Sequence, residues 1–162
     1  MIIVSDTSAL GNLAIVDQLN LLQDLYSTVI IPDMVAQEIS NATSPRIRAI
    51  LNLEWVQIQH IKNQPMVDAL QQNSNLDSGE SHAIVLAIEQ QADELLIDER
   101  RGRREATKLG ISIIGILGVL ILAKRRGLIL QVQPILDALI EEAGFRVSPQ
   151  LYTQVLSQAD ER

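Results

Sequence analysis

Four carboxylates stand where a folded chain has a use for them. Asp6 ends the apolar run Ile2-Ile3-Val4-Ser5 and is followed by Thr7-Ser8. Asp98 ends a second apolar run, Leu95-Leu96-Ile97, and is followed at once by Glu99. Glu80 closes Asp77-Ser78-Gly79-Glu80, and Glu38 follows the run Val29-Ile30-Ile31-Pro32. Carboxylates gathered at one place repel unless a cation sits among them. Hard oxygen donors, with no Cys anywhere in the chain and no His in this pattern, suit Mg²⁺ or Mn²⁺ and not zinc. Such a centre activates water and holds the oxygens of a phosphodiester in line. The candidate catalytic set is Asp6, Glu38, Glu80 and Asp98, with Asp6, Glu80 and Asp98 as candidate metal ligands.

Each acid also has a simpler use. Asp6 and Asp98 suit helix N-caps. Asp77-x-x-Glu80 has the spacing of a capping box, with Asp in place of Ser or Thr. Glu38 on a helix suits a solvated face. What favours the metal reading is the joint pattern. Two acids terminate apolar strands at the same edge if those strands are parallel, and Glu80 opens the helix that leads into the second strand.

The elements that must position these acids alternate along the chain. Strand patterns cover Ile2–Ser5, Thr28–Ile31, Trp55–Ile58, Glu94–Ile97 and Ile111–Ile114. Ile2–Ser5 is expected at the centre of the sheet and Trp55–Ile58 near an edge. Helical spacing covers Leu10–Leu25 with a break at Asp17, and a helix after Pro32 carries Glu38. Further helices are expected over Arg46–Leu53, Asn63–Asn75, from Asp77 through Ile88, and over Arg100–Leu109 with Gly110 beyond its end. Alternation of this kind implies a parallel sheet with helices on both faces. After Gly115 only helical patterns remain: Ile116–Arg125, Gln131–Glu141 and Ser148–Ser157. A single domain over 1–162 is expected, with a core over about 1–123 and a helical extension over 124–162.

Composition narrows the function. Thirteen basic against 20 acidic residues give a net charge of −7, which disfavours a general nucleic-acid coat but leaves room for local contact with RNA. Aromatic residues are 2%, so the core is aliphatic and base stacking is expected to contribute little. The absence of Cys fits a reducing cytoplasm. Met1 leads into a strand pattern and not a basic segment, so no secretion signal is expected. The apolar run Ile111–Ala123 is too short to span a bilayer.

Arg100-Arg101-Gly102-Arg103-Arg104 places four guanidinium groups directly after Asp98. Cations at a helix start are mildly unfavourable. Contacts from Arg100, Arg101, Arg103 and Arg104 to RNA phosphates, or an Arg–carboxylate pair with Asp98, are the competing uses. Lys124-Arg125-Arg126 suits a helix C-terminal cap, and His60 and His82 suit structural or exposed roles.

The ordered set Asp6-Thr7-Ser8, Leu76-Asp77-Ser78-Gly79-Glu80, and Leu96-Ile97-Asp98-Glu99 with Gly102-Arg103 resembles the PIN-domain nucleases, in particular their toxin–antitoxin, VapC-like sub-group. The resemblance covers Met1 to about Ala123 and continues into Gly144-Phe145-Arg146. It implies a three-layer α/β/α fold with a five-stranded, mostly parallel sheet and extra C-terminal helices. It also implies metal-dependent endoribonuclease chemistry, with Asp6, Glu38, Glu80 and Asp98 as the four acids and Mg²⁺ or Mn²⁺ as cofactor. Ser8 corresponds to the hydroxyl that supports the first acid, and Asp77 and Glu99 are further supporting residues. Whether Asp98 or Glu99 faces the metal stays open, because an Asp is commoner than Glu at position 99. An RNA substrate, a cognate antitoxin protein and a homodimer are the implied partners. A PIN scaffold that binds without cutting is the alternative. Receiver-type phosphoacceptors and Asp-x-Asp phosphatases are excluded: the third apolar strand lacks a terminal Asp, the fifth lacks a terminal Lys, and Ser8 stands where the second Asp belongs.

Overall fold

The computed structural model describes all residues 1–162. Five strands, β1 (Ile2–Ser5), β2 (Thr28–Pro32), β3 (Val56–Gln59), β4 (Glu94–Leu96) and β5 (Ile113–Ile114), pair in the order β3-β2-β1-β4-β5. Every pairing is parallel, with Ile3 opposite Val29 on one side and Glu94 on the other. β1 is therefore central and β3 lies at an edge, as its weak alternation suggested. β5 starts only at Ile113, two residues later than expected, because the Ile111 amide still bonds back to the Ala106 carbonyl at the end of the preceding helix.

Side chains alternate across the sheet with a period of two. Ile3, Val29, Ile31 and Leu96 enter one core, while Val4, Ile30, Leu95 and Ile97 enter the other. The first core is covered by α1 (Thr7–Ile15), α2 (Asn20–Leu25), α3 (Asp33–Ser40), α8 (Ile116–Arg125), α9 (Gln133–Glu142) and α10 (Pro149–Gln158). The second is covered by α5 (Gln64–Asn73), α6 (Ser78–Glu89) and α7 (Arg100–Lys108). These are the three α/β/α layers. α6 is buried from Gly79 through Ala87, which explains why its apolar pattern runs nearly all round and not along one stripe. The Arg46–Leu53 pattern is split: α4 (Pro45–Arg48) passes into a 3-10 turn (Ala49–Asn52) that tucks Ile50 into the core. Asp17 breaks the first helical stretch with a φ of +58°.

The C-terminal helices are tied down by charge as well as by packing. Lys124 does not cap its own helix, as its position suggested. Its ammonium donates to the Ala159 carbonyl and to Glu161 Oε2, the latter at 3.0 Å. Glu161 also accepts the free amides at the start of α9, from Val132 at 2.7 Å and Gln133 at 3.0 Å. Burial works against the carboxylate's charge, but these amides and Lys124 outweigh it and hold Glu161 below the usual range. Glu161→Gln is expected to lower stability by roughly 1–3 kcal/mol, the scale of hydrogen bonds to a charged group. A urea melt unchanged in midpoint would show that the tail is held by Leu156 and Ala159 alone.

Candidate metal centre

The fold delivers Asp6, Glu80 and Glu38 to adjoining cavities at one end of the sheet. Parallel pairing puts the ends of β1 and β4 side by side, and α6 starts against both. The Asp6 carboxylate accepts the Ala9 amide at 3.2 Å, so it N-caps α1. It is also 3% exposed at the sheet edge. Burial pushes its pKa up to about 8, against the Ala9 amide, and the charges of Asp98, Glu80 and Asp77 push it the same way.

Glu80 likewise serves two purposes. The Glu80 amide donates to Asp77 Oδ1 at 2.8 Å and the Asp77 amide to Glu80 Oε1 at 3.4 Å, completing a capping box. This uses one carboxylate oxygen. The other, Oε2, is buried with no hydrogen-bond partner. Burial, then the hydrogen bond and charge of Asp77, push Glu80 up to about 7. Capping and metal binding are thus not exclusive here, because they need different oxygens.

Two adjoining cavities open on these groups. One of about 230 Å³ is lined by Asp6, Ser8, Asn75, Asp77, Glu80, Glu99 and Arg101. The other, about 200 Å³, is lined by Asp6, Thr7, Ser8, Glu38, Asp77, Gly79 and Glu80. Neither has a hydrophobic residue in its wall. Glu38 is held there by the Thr7 hydroxyl, which donates to its Oε1. Gly79 makes room for that carboxylate, since a Cβ on Gly79 would run into it.

Asp98 and Glu99 separate. Adjacent residues at a strand end point to opposite sides, and here Glu99 lines the acidic cavity while Asp98 turns toward α8. Asp98 Oδ1 accepts the Ile116 amide at 3.1 Å, next to Arg103, and its Oδ2 is buried without a partner. Burial raises the Asp98 pKa, opposed by the Ile116 amide and Arg103. The basic cluster divides as well. Arg101 faces the acidic cavity. Arg103 Nη1 donates to the Ile97 carbonyl at 2.9 Å beside Asp98, whereas Arg100 and Arg104 are exposed. His60 is exposed and pairs with Asp33, and His82 bonds the Ser78 carbonyl at 2.7 Å. Sequence reasoning missed Asn75 and Thr7. Asn75 has a φ of +56°, a conformation that Asn tolerates better than most residues, and this places it at the cavity.

The donor set suits a hard divalent ion: oxygen only, with an orphaned Glu80 oxygen and two carboxyl groups, Asp6 and Glu80, raised first by burial and further by the charge of neighbouring acids. No three acids converge closely enough to ligate one ion together. Of the three expected ligands, Asp6 and Glu80 share the acidic cavities, whereas Asp98 lines a different one.

A family model described as a PIN domain (DUF3368) matches residues 2–161. The chain belongs to the PIN-domain family. Proteins of this family are generally nucleases that use divalent metal ions. Among solved structures, a PilT N-terminus domain protein, SSO1118, from the hyperthermophilic archaeon Sulfolobus solfataricus P2 shares the fold. Its TM-score is 0.55 at 20% identity, over 87% of this chain and 95% of that one. No curated protein matches the sequence. No helix is long and apolar enough to cross a membrane.

The Gly102-Arg103 pair of this PIN chain has a packing role. A Cβ on Gly102 would lie 2.5 Å from Ile97 Cδ1 and 2.8 Å from Glu80 Oε2. Ala in a helix interior normally gains about 0.5–1 kcal/mol over Gly. Overpacking costs about 1–3 kcal/mol, so Gly102→Ala is expected to destabilise and to displace the Glu80 carboxylate. A higher melting temperature for Gly102→Ala would mean that α7 does not press on Glu80.

Proposed function

We propose that this PIN protein is a Mg²⁺- or Mn²⁺-dependent endoribonuclease and the toxin of a toxin–antitoxin pair. The observation that carries the reading is the burial of Asp6 and Glu80 together at one sheet edge. There Glu80 Oε2 is unpartnered, and the adjoining cavities are lined wholly by polar residues and glycine. Asp6 and Glu80 are the residues placed to hold the ion, with Asp77, Glu99 and Glu38 around them; Asp98 stands on the flank toward α8. When bound, the ion supplies activation of water and charge neutralisation at the phosphodiester. The chain's own groups do the positioning. Thr7 holds Glu38, the Ala9 amide fixes Asp6, the capping box fixes Glu80, and Arg101 is placed to meet a phosphate at the cavity rim.

The antitoxin, the homodimer and a cytoplasmic setting belong to the same proposal and rest on the family resemblance. The exposure of Leu128 and Leu130, at 38% and 92%, adds support for a covered surface. The test is cleavage of end-labelled single-stranded RNA with Mn²⁺ and with excess chelator. Internal cuts that appear with Mn²⁺ and vanish with chelator are expected. Cutting that survives the chelator would overturn the metal-dependent mechanism.

A further inference from the structure

The Gly144-Phe145-Arg146 segment has no part in the acidic cavities, yet the fold brings it to a cavity that also includes Asp98, the neighbour in sequence of Glu99. Gly144 ends α9 with a φ of +67°, and the Phe145 amide folds back onto the Leu139 carbonyl at 3.0 Å. This reversal sets Phe145 and Arg146 at a cavity of about 500 Å³ between β5, α8 and α10. Its wall includes Asp98, Arg103, Leu117, Phe145, Arg146 and Leu151. The chain has a single Phe, and it is here.

Three observations bear on the occupant. The cavity begins at Asp98, two residues past the end of β4, and Glu99 next to it lines the acidic cavity, so consecutive residues of the chain belong to the two cavities. Two guanidinium groups stand in a wall that is half apolar, shared with Asp98, Gln154 and Gln158, in a chain of net charge −7. Of these, Arg103 is anchored by the Ile97 carbonyl, whereas Arg146 is exposed. The volume lies within the range of small-ligand pockets, about 300–1,000 Å³. An aromatic wall with cations at its rim is how single-stranded nucleic acid is held, by a base on the π-face and phosphates on Arg.

We infer that this cavity is a nucleotide subsite: it takes one unpaired base of the RNA beside Phe145, with Arg146 and Arg103 on the adjoining phosphates. The inference rests on the ribonuclease reading and deepens it, because it places a base-binding position next to the site of cutting.

The test uses the full chain and a single-stranded RNA ten to twelve nucleotides long (a length on the order of one binding site). Binding is measured by fluorescence anisotropy in an Asp6→Asn background, and cleavage in the wild-type background with Mn²⁺. Phe145→Leu keeps an apolar side chain against the core and removes the π-face. It is expected to weaken RNA binding by about 5- to 150-fold, the range for losing one base–aromatic stack. Removing the base at one position of the RNA should weaken binding to the Asp6→Asn protein and have little effect once Leu also replaces Phe145. Arg146→Gln, at an exposed site that should not disturb folding, is expected to reduce the slope of log affinity against log salt by about 0.7. If wild type cuts RNA but both variants bind it unchanged, the subsite is wrong and the nuclease reading stands. If wild type neither cuts nor binds RNA, both fall. If the variants keep RNA binding but lose self-association by light scattering, the cavity is a protein interface and the inference is overturned.

Discussion

Asp6→Asn is expected to reduce RNA cleavage at least a hundredfold while the protein stays folded. The substitution is informative because Asp6 has two duties that Asn separates. Its cap on α1 needs a side-chain oxygen that accepts the Ala9 amide, and Asn is as good an N-cap as Asp. Its place at the sheet edge needs negative charge, which Asn lacks. Loss of one preorganised electrostatic group typically costs about 10²–10³ in kcat. An Asp6→Asn protein that cuts within a few-fold of wild type would remove Asp6 from the centre. The same protein unfolded at room temperature would instead show that the cap depends on ionisation.

The second large effect is on stability and its dependence on pH. Asp6 and Glu80 have folded-state pKa values raised to about 8 and about 7, from ordinary values of 3.8 and 4.5. A raised acid favours folding while it is protonated. The contribution is therefore complete below about pH 4 and is lost as pH climbs through 7 to 8. Each unit of difference corresponds to about 1.4 kcal/mol, so with chelator the metal-free protein should lose on the order of a few kcal/mol across that window. Asp6→Asn has no such charge to bury, and its melting temperature should pass above that of wild type near pH 8. Mn²⁺ is expected to reverse the order. By binding the ionised carboxylates it should stabilise wild type by about 2.7 kcal/mol at a hundredfold excess over its dissociation constant, more at high pH than at low. Thermal melts at pH 5 and pH 8, with chelator and with Mn²⁺, give the four values needed for each protein. Parallel pH profiles for wild type and Asp6→Asn would mean that Asp6 is solvated and not buried among acids.

The fold was legible because its signals are local. Apolar runs of strand length alternate with helical spacing, and Asp17 and Gly110 punctuate them. That Asp6 and Asp98 come to one sheet edge was legible because both follow strands that pair in parallel, but that Asp98 lines a different cavity from Asp6 and Glu80 was not. What stayed hidden depends on contacts between distant residues. Nothing in Asp98-Glu99 tells which side chain turns toward α8, since that is decided by the Ile116 amide far along the chain. The Thr7 hydroxyl on Glu38 and the Lys124 ammonium on Glu161 are equally non-local. Glu80 shows a different difficulty. Its capping box was readable from Asp77-x-x-Glu80, but the choice between cap and ligand was not, because the sequence does not say that one oxygen suffices for the cap.

The strand order β3-β2-β1-β4-β5 also sets a timetable for synthesis at the ribosome. Ile2 finds its partner Thr28 early, and Val29 pairs with Val56 soon afterwards, so the β1-β2-β3 half can assemble from a short nascent chain. The other side of β1 must wait for Glu94 to Leu96. Closing that longer loop adds about 1 kcal/mol of entropy cost over the β1-β2 closure, at ~0.6 kcal/mol for each doubling of length. Asp6 leaves the ribosome before the β1-β2-β3 half is complete, whereas Glu80, Glu99 and Arg101 follow only after it. A nascent chain therefore carries Asp6 through the assembly of that half without the groups that share its cavities.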